Sequence, residues 1–275
     1  MRLLILVVLY RRACRASETL RSLAACRNTL HDSLVVVWDN SPEEAVAEER
    51  LWLRSALPRA AYFHDASNPG LASVYNRVID RFLKAMAPET SDFLLLLDQD
   101  SEVDQTFFTA LEHATTEHPE IALFLPLVAA RGRIVSPANL YGFKGSYWKK
   151  KRSGLTPSEH HTAINSGMVI SAPYLREHFP GYDERLQFYG TDNFFMREYG
   201  KTNRQFVVLD CILQHDLSCF TPENIEVKLW RHRENVNSLR ILHEGCGMRT
   251  WLAHAYCRLH NLRQAIKYCD RRFLV

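Results

Sequence analysis

Phe93-Leu94-Leu95-Leu96-Leu97-Asp98-Gln99-Asp100 is the stretch that decides the fold of this 275-residue chain. A short apolar run bounded by polar residues is typical of a strand that is buried on both faces of a parallel sheet. The carboxylates that follow would then project into the crevice where open α/β sheets bind their ligands. Because residues i and i+2 share a side, Asp98 and Asp100 can face one hard cation. A solvated acidic turn is the alternative interpretation of the pair taken by itself.

The composition is that of a globular protein with an uneven distribution of charge. Hydrophobic residues make up 47% and charged residues 24% of the chain, which is ordinary for a folded enzyme. The formal net charge is +3, but residues 228–275 contain ten Lys and Arg against three Asp and Glu, a net of +7 that leaves −4 for residues 1–227. The basic segment indicates an anionic partner. No zinc-ligand spacing, arginine-glycine tract or aromatic RNA-binding signature is present, so we expect no nucleic acid.

Cysteine usage and the N-terminal sequence favour a cytoplasmic protein. The seven cysteines are odd in number and form no CxxC pair, which argues for reduced thiols rather than a disulfide framework. Residues 3–9 are apolar like part of a signal peptide, but charged residues from Arg11 to Arg21 interrupt the following region, so we assign a buried strand. No apolar run approaches the roughly 18 residues that span a bilayer. We expect a cytoplasmic location, which includes the cytoplasmic face of the inner membrane if the basic segment binds there.

Apolar runs alternate with helical patterns, which predicts βαβ units and a doubly wound, mainly parallel sheet flanked by helices. The predicted strands are 3–9, 34–38, 61–64, 93–97, 121–125, 168–171 and 206–209. The predicted helices are 17–26, 42–57, 70–86, 103–116 and 192–199. Ser41 as N-cap, Pro42 at the first helical position and Glu44 mark the start of the second helix. Residues 129–164 are rich in Gly, Pro, Ser, Tyr and Lys, and they predict an irregular loop that borders the active site and partly orders on binding.

Further polar segments follow in the order that a nucleotide-sugar enzyme requires. Asp39 ends the second predicted strand, where it can accept hydrogen bonds from a base or ribose; a turn or capping role is the alternative. Gly70 opens a helix, and its lack of a side chain permits close approach of a ligand to a helix N-terminus that favours negative charge. Two segments come later in the chain, Tyr189-Gly190-Thr191-Asp192 and Gln214-His215-Asp216.

With Asp98-Gln99-Asp100, this order resembles the family 2 glycosyltransferases, and within them the bacterial rhamnosyltransferase-like group. The resemblance covers roughly residues 3–215 and, more weakly, 229–235. It implies a GT-A catalytic domain over 1–220, with a nucleotide half to about 128 and an acceptor half from 129, and a basic helical C-terminal extension over 221–275. It also implies inverting, metal-dependent transfer of a sugar such as rhamnose, from a UDP- or dTDP-sugar to a growing bacterial surface glycan.

The resemblance also implies roles for individual residues. Asp100 and His215 match ligands of Mn²⁺ or Mg²⁺, Asp192 matches the catalytic base, and Asn165-Ser166-Gly167 precedes the acceptor-side strand. The residues that match the family's donor site are Asp39, Asn68, Gly70, Asn76, Asp98 and Gln99.

Two departures from the family pattern stand out. Thr191 replaces the glutamate that commonly precedes the base, and the first strand ends in Leu9-Tyr10-Arg11-Arg12 instead of a Thr-Tyr-Asn type of sequence. Asp183-Glu184 is a rival carboxylate pair for the role of base. A sugar-phosphate nucleotidyltransferase and a degenerate nucleotide-sugar-binding scaffold remain the alternative functions.

The C-terminal segment carries apolar residues at helical spacing, with basic residues largely off that stripe. The apolar residues are Leu252, Ala255, Tyr256, Leu259, Leu262 and Ile266, and the basic ones are Arg258, Arg263, Lys267 and Arg271. Such a helix either lies on an anionic membrane leaflet near a lipid-linked acceptor, or packs on the catalytic body or on a second subunit in a homo-oligomer.

Overall fold

The computed structural model describes residues 1–83, 92–215 and 224–275, and a large sheet organises them. In chain order the strands are β1 (Arg2–Leu9), β2 (Leu34–Asp39), β3 (Ala60–His64), β4 (Asp92–Asp98), β5 (Ser101–Glu102), β6 (Leu123–Ala130), β7 (Arg133–Ser136), β8 (Ala138–Tyr141), β9 (Lys144–Tyr147), β10 (Gly154–Pro157), β11 (His161–Thr162), β12 (Met168–Ser171) and β13 (Gln205–His215). The large sheet has the order β10-β13-β6-β12-β4-β1-β2-β3, with β5 beside β13 and β7 beside β6. A smaller sheet has the order β11-β8-β9.

Helices flank both faces of the large sheet. They are α1 (Glu18–Ala25), α2 (Ala47–Ala56), α3 (Leu71–Val78), α4 (Gln105–Glu117), α5 (Ala172–Glu177), α6 (Thr191–Thr202), α7 (Ile225–Leu242) and α8 (Met248–Tyr268). A π-helical turn, Ile79–Leu83, continues α3. Within the described ranges, no helix combines the length and the apolar character needed to cross a membrane.

Alternation along the central strands divides the core into two layers. Leu94 and Leu96 of β4 belong to one apolar cluster, together with side chains of α3, α5 and α6. Leu95 and Leu97 belong to the other, which includes side chains of α1 and α4. Because both faces of β4 are covered, the strand needs a continuous apolar run rather than an alternating one. This is the physical reason that the leucine run identified the strand.

Parallel pairing brings the ends of the central strands to one edge. β1 pairs in parallel with β2 and with β4, and the register sets Leu9 opposite Asp39 and Val8 opposite Asp98. β13 runs parallel to β6 and ends at His215. The predicted doubly wound, mainly parallel sheet is therefore confirmed.

One strand in the middle of the sheet is reversed. β12 lies between β4 and β6 and is antiparallel to both. Its first residues therefore lie at the edge where its neighbours end, and the N–H of Gly167 donates to the Leu96 carbonyl over 2.8 Å. Gly167 has a φ of +85°, and a Cβ there would stand 2.5 Å from Cγ of Pro126. Any residue other than glycine at this position would therefore require Pro126 of β6 to move.

Two sequence predictions about local structure are wrong. Helix α2 starts at Ala47 rather than at 42, and its N-cap is Val46, because Ser41 instead accepts a hydrogen bond from the N–H of Arg11 over 2.8 Å. Residues 129–164 are not an irregular loop, since they contain β7 to β11. Trp148 anchors this region: its ring is buried and its Nε1–H donates to Asn139 over 3.2 Å.

The C-terminal helices pack beside the start of α6. A Cβ at Gly190 would lie 2.9 Å from Cβ of Ser238 in α7, and Arg185 forms an ion pair of 2.6 Å with Glu244. The buried ring of His232 in α7 forms a hydrogen bond of 2.9 Å with the side chain of Asn261 in α8, which joins these two helices to each other. The predicted C-terminal helical extension is thus present, whereas its predicted boundary at residue 220 lies outside the described residues.

Candidate active site

A cluster of two carboxylates and one imidazole forms where β4 and β13 end. Asp98 closes β4, Asp100 follows in the turn to β5, and the β5–β13 pairing sets Ser101 opposite His215. Nε2 of His215 lies 3.8 Å from Oδ2 of Asp98, and its Nδ1 lies 3.4 Å from Oδ1 of Asp100. One ligand atom from each of the three side chains lies within 4.8 Å of the others. The adjacent Asp216 lies outside the described residues.

Three hydroxyl groups, two from the start of α1 and one from before β12, hold this turn in place. Ser166, which precedes β12, accepts a hydrogen bond from the N–H of Asp98 over 3.2 Å and pairs with the hydroxyl of Ser101. Thr19 in α1 accepts from the N–H of Ser101 over 2.8 Å, and the Ser17 hydroxyl donates to the Gln99 carbonyl over 2.7 Å. Fixing both ends of the turn presets the positions of its two carboxylates.

The electrostatics of the cluster favour a bound cation. Desolvation raises the pKa of Asp98, and it raises the pKa of Asp100 to about 6, with a further upward contribution from the charge of Asp98. The charge of His215 opposes both shifts, and that of Arg12 opposes the shift at Asp100. Two carboxylates that destabilise each other's ionised form gain from a divalent cation between them. Two hard oxygen donors and one imidazole suit Mn²⁺, and Mg²⁺ to a lesser degree, so the residues fit such an ion.

A cavity of about 380 Å³ adjoins Asp100 and His215 and brings in residues that the sequence analysis did not assign. Arg12 and Glu18, which form an ion pair with each other, line one side of it. Glu102 and Gln214 line it from the β5–β13 pair. Arg12 lies three residues beyond the end of β1, and the residues that follow each parallel strand lie at this edge of the sheet. Its position in the sequence could therefore have identified it as a residue of the cavity.

Asp192 lies in the first turn of α6, near enough to Asp98 for their charges to interact. Its Oδ1 accepts hydrogen bonds from the backbone N–H and the side chain of Asn193, over 2.7 and 3.1 Å. Desolvation raises its pKa to about 6, and the negative charge of Asp98 adds to that shift. A carboxylate with this pKa is ionised at neutral pH yet basic enough to accept a proton.

The residue before Asp192 is an uncharged threonine that holds the start of α6 by hydrogen bonding. Thr191 is buried, and its Oγ1 accepts a hydrogen bond from the side chain of Asn165 over 2.8 Å. Asn193 in turn accepts from the Thr162 hydroxyl over 2.9 Å, which connects α6 to the end of the 129–164 segment. The glutamate that the resemblance leads one to expect is therefore replaced by a neutral amide–hydroxyl contact.

Asp39 is buried at the end of β2, and both its oxygens already have partners. Oδ1 accepts from the N–H of Ser41 over 2.9 Å and Oδ2 from the Tyr62 hydroxyl over 2.6 Å. Asn68 is exposed in the turn before α3 and has a positive φ of 50°. The contacts of Asp39 connect the end of β2 to β3 through Tyr62 and to the residues that follow β2 through Ser41.

The remaining predicted donor residues contact other parts of the protein. Oε1 of Gln99 accepts from the N–H of Tyr10 over 2.9 Å. Asn76 bridges α3 to Tyr182, since its side chain accepts from the N–H of Tyr182 over 2.8 Å and donates to its carbonyl over 2.9 Å. The N–H of Leu71, at the start of α3, donates to the Gln187 carbonyl over 2.7 Å. Asn76 and the start of α3 thus connect to the segment before α6, whereas Gln99 connects the turn after β4 to the residue after β1.

Gly70 lies close to the backbone of Gln187, in the segment before α6. It has φ 85° and ψ 159°, a conformation that is almost confined to glycine. A Cβ there would lie 3.0 Å from the Cα of Gln187.

We therefore expect Gly70→Ala to lower the free energy of unfolding by about 3 kcal/mol, because backbone strain adds to the steric clash. Urea unfolding would measure it. Gly154→Ala is the matched control, since Gly154 has a φ of 90° with no neighbouring atom within 4 Å of its Cβ position, and it should lose only about 1 kcal/mol. Equal losses would show that the contact with Gln187 is unimportant.

The rival carboxylate pair is committed to other contacts. Asp183 forms an ion pair of 2.7 Å with Arg185, which holds its pKa below its usual range. Glu184 accepts hydrogen bonds from Ser73 over 3.0 Å and from Asn76 over 3.2 Å. These bonds attach α3 to the segment before α6.

Comparisons with known proteins match the fold but not the sequence. No protein-family model matches the chain, and no curated protein matches it. S. aureus TarS superposes with a TM-score of 0.61 at 15% identity, over 88% of this chain and 39% of TarS. TarS 1–349 in complex with UDP-GlcNAc gives a TM-score of 0.57 at 15% identity, over 87% and 66% of the two chains.

A third match is GalNAc-T7, determined with UDP, GalNAc and Mn²⁺. Its TM-score is 0.61 at 14% identity, over 88% of this chain and 48% of that one. This chain therefore spans only part of the length of the proteins it matches. At such low identity the similarity concerns the architecture, and it confirms that the chain has a GT-A-type α/β fold.

Proposed function

We propose that this protein is a metal-dependent glycosyltransferase that uses a nucleoside-diphosphate sugar. The observation that carries the proposal is the Asp98–Asp100–His215 cluster on a GT-A-type sheet, with Asp192 near enough to Asp98 for their charges to interact. The fold neighbours support it, because GalNAc-T7 was determined with UDP and Mn²⁺, and TarS 1–349 with UDP-GlcNAc. Metal ligands, a cationic side chain and a carboxylate base are the groups that such a transfer needs.

The diphosphate of the donor would bind beside the cluster. Asp98, Asp100 and His215 would hold the ion, and Mn²⁺ or Mg²⁺ would supply positive charge that stabilises the leaving diphosphate. Arg12 would contribute a second positive charge from the cavity wall, after exchanging its contact with Glu18 for one with phosphate oxygens. The predicted donor residues Asp39, Asn68, Gly70, Asn76 and Gln99 remain part of this proposal, as groups that line or position the donor side of the crevice.

Asp192 would act as the general base. As the acceptor oxygen forms a bond to the anomeric carbon, Asp192 takes the hydroxyl proton, and the bond from that carbon to the diphosphate oxygen breaks. A single carboxylate with attack opposite the leaving group gives inversion at the anomeric carbon. The two partly buried hydrogen bonds from Asn193 would orient the carboxylate throughout.

Several finer parts of the proposal rest on the family resemblance. These are a UDP- or dTDP-sugar donor, rhamnose as the sugar, a bacterial surface glycan as the acceptor, and a cytoplasmic location. The division into a catalytic domain over 1–220 and an extension over 221–275 belongs with them.

The decisive experiment is a thermal-shift screen of UDP-, dTDP- and GDP-sugars with and without Mn²⁺, followed by turnover assays on the stabilising donors. Ligands that bind only the folded form raise its apparent stability. Metal-dependent release of nucleoside diphosphate supports the proposal and rules out a scaffold without activity. Release of pyrophosphate from a nucleoside triphosphate and a sugar phosphate would identify a nucleotidyltransferase instead. Absence of any donor binding would contradict the proposal.

The pKa of Asp192 predicts the pH dependence of turnover. Because its pKa is raised to about 6, the base is protonated below that pH and ionised above it. At saturating donor and Mn²⁺ we expect kcat to rise about tenfold per pH unit below about pH 6 and to level off above it. A stopped assay from about pH 5 to pH 8 would measure this. A kcat that is constant over that range would exclude Asp192 as the base.

The cavity wall predicts a donor-binding defect for Arg12→Gln. Loss of a charge-assisted contact to phosphate should raise the KM for the donor about tenfold to 100-fold, with a smaller change in kcat. Steady-state kinetics with varied donor would measure it. Arg11→Gln is the matched control, because that guanidinium lies over the Tyr10 ring at 5.2 Å instead of lining the cavity. If both variants behave alike, Arg12 does not contact the donor.

A further inference from the structure

Helix α8 presents an apolar stripe to solvent. Its large side chains are exposed, with Met248 at 78%, Trp251 at 70%, Leu259 at 69% and Ile266 at 68%. Leu252 and Leu262 complete the stripe and are also exposed. A contiguous apolar face of this kind marks an interaction site rather than ordinary surface. Tyr256, which the sequence analysis placed in this stripe, does contact the catalytic body, since its ring centroid lies 5.5 Å from that of Phe143 between β8 and β9. The stripe therefore packs on the catalytic body only in part.

The opposite side of α8 explains why the stripe faces outward. Ala253, Cys257 and Asn261 are buried at a spacing of four residues, and they form the face that packs on α7 and the C-terminal turn. At about 3.6 residues per turn, the stripe lies on the other side of the helix axis from these three. The helix is thus fixed by Ala253, Cys257 and Asn261 on one face, while Met248, Trp251, Leu259 and Ile266 on the other remain largely exposed.

The charges that border the stripe identify the kind of surface it fits. Residues 248–268 contain four basic residues and no Asp or Glu. Arg258 lies on one flank of the stripe, and Arg249, Arg263 and Lys267 lie on the other. Within the described residues, none of these four forms an ion pair with a carboxylate, whereas the nearest acids, Glu244 and Asp270, pair with Arg185 and Arg272.

The same charges disfavour a second copy of the chain as the occupant. Pairing two α8 stripes would bring eight cationic side chains around one interface without a carboxylate from either helix. Like charges facing each other across an interface are destabilising. A bilayer with anionic headgroups instead offers an apolar interior for the stripe and negative charge for both flanks.

We propose that α8 docks the protein on an anionic lipid bilayer, with the Trp251–Leu259–Ile266 stripe inserted at the boundary between headgroups and acyl chains. The helix lies parallel to the surface, and its Arg and Lys side chains contact lipid phosphates. This surface is separate from the crevice, so the proposal holds whether or not the protein transfers a sugar.

Vesicle co-sedimentation tests the proposal without donor or acceptor. The full chain should bind vesicles of equal parts phosphatidylcholine and phosphatidylglycerol and bind phosphatidylcholine alone weakly, with binding reduced by salt. Trp251→Ser with Leu259→Ser should weaken partitioning at least about 100-fold. Arg258→Gln with Arg263→Gln should weaken it about 30-fold, about fivefold for each charge. Because all four side chains lie outside the core, thermal melting should be unchanged.

Matched controls separate docking from general surface effects. Val46→Ser with Leu51→Ser alters two other exposed apolar residues, at 61% and 63% exposure, and should leave vesicle binding unchanged. Equal binding to both lipid compositions, or equal loss in the control, would overturn the proposal. So would a protein that binds neither vesicle and forms a dimer that Trp251→Ser with Leu259→Ser dissociates, because the stripe would then join two copies.

Discussion

Asp192→Asn should abolish sugar transfer while leaving the donor bound. An amide cannot accept the acceptor's proton, so we expect kcat to fall by about 10²- to 10⁴-fold. The substitution retains an oxygen that can accept the two hydrogen bonds from Asn193, and the fold should therefore be kept. Single-turnover assays would measure the loss, and calorimetric titration of the nucleoside diphosphate with Mn²⁺ should give a Kd within about twofold of the unsubstituted protein.

Asp183→Asn is the matched control for that experiment. It removes the rival carboxylate, which is already neutralised by Arg185 at 2.7 Å, so turnover should change by no more than about threefold. If Asp183→Asn abolishes transfer and Asp192→Asn does not, the base lies on the segment before α6. If neither does, neither carboxylate removes the proton.

Asp100→Asn should remove the metal dependence of donor binding. This change deletes one of the two charges that the cluster offers a cation and leaves a neutral side chain of similar size. We expect the affinity for Mn²⁺ with nucleoside diphosphate to fall at least about 100-fold, because ligand changes exceed the 10- to 100-fold losses typical of groups around the ligands. The Mn²⁺-dependent increase in melting temperature should disappear together with turnover.

A nearby carboxylate provides the control for the metal site. Glu102→Gln removes a charge from the same cavity, but Glu102 is outside the group of ligand atoms that lie within 4.8 Å of one another. Its effect should be several-fold smaller, since only a longer-range attraction is lost. Equal effects of the two variants would mean that the cavity attracts cations by its overall charge rather than by ligation at Asp100.

The parts of the fold that could be predicted from the sequence are those with strong local patterns. β1, β2, β4 and β12 carry short, mostly apolar runs because the sheet is covered on both faces. The parallel order of β1, β2 and β4 follows from the helices between them. β9 could not be found this way, because all four of its residues are exposed and it is held by backbone pairing with β8. A short strand without an apolar face leaves little periodicity to detect.

Long-range contacts account for what the sequence did not predict at the site. Ser41, Pro42 and Glu44 form a local helix-start signal, but the Ser41 side chain bonds to Arg11, thirty residues earlier. Gly70 was predicted to admit a ligand, and the structure gives it Gln187 as the close neighbour. In both cases the deciding partner is distant in sequence, so composition and spacing carry no sign of it. The position of Arg12 at the cavity wall, by contrast, follows from where β1 ends.

The reversed strand β12 has a consequence for how the two substrates are coordinated. Ser166, just before it, contacts the backbone beneath Asp98, while its neighbour Asn165 bonds to Thr191 beside the proposed base. Two adjacent residues thus connect Asp98, which would help bind the leaving diphosphate, to Asp192, which would deprotonate the acceptor hydroxyl. Shortening or lengthening the chain by one residue there would shift both contacts at once, so the positions of Asp98 and Asp192 depend on the same short segment.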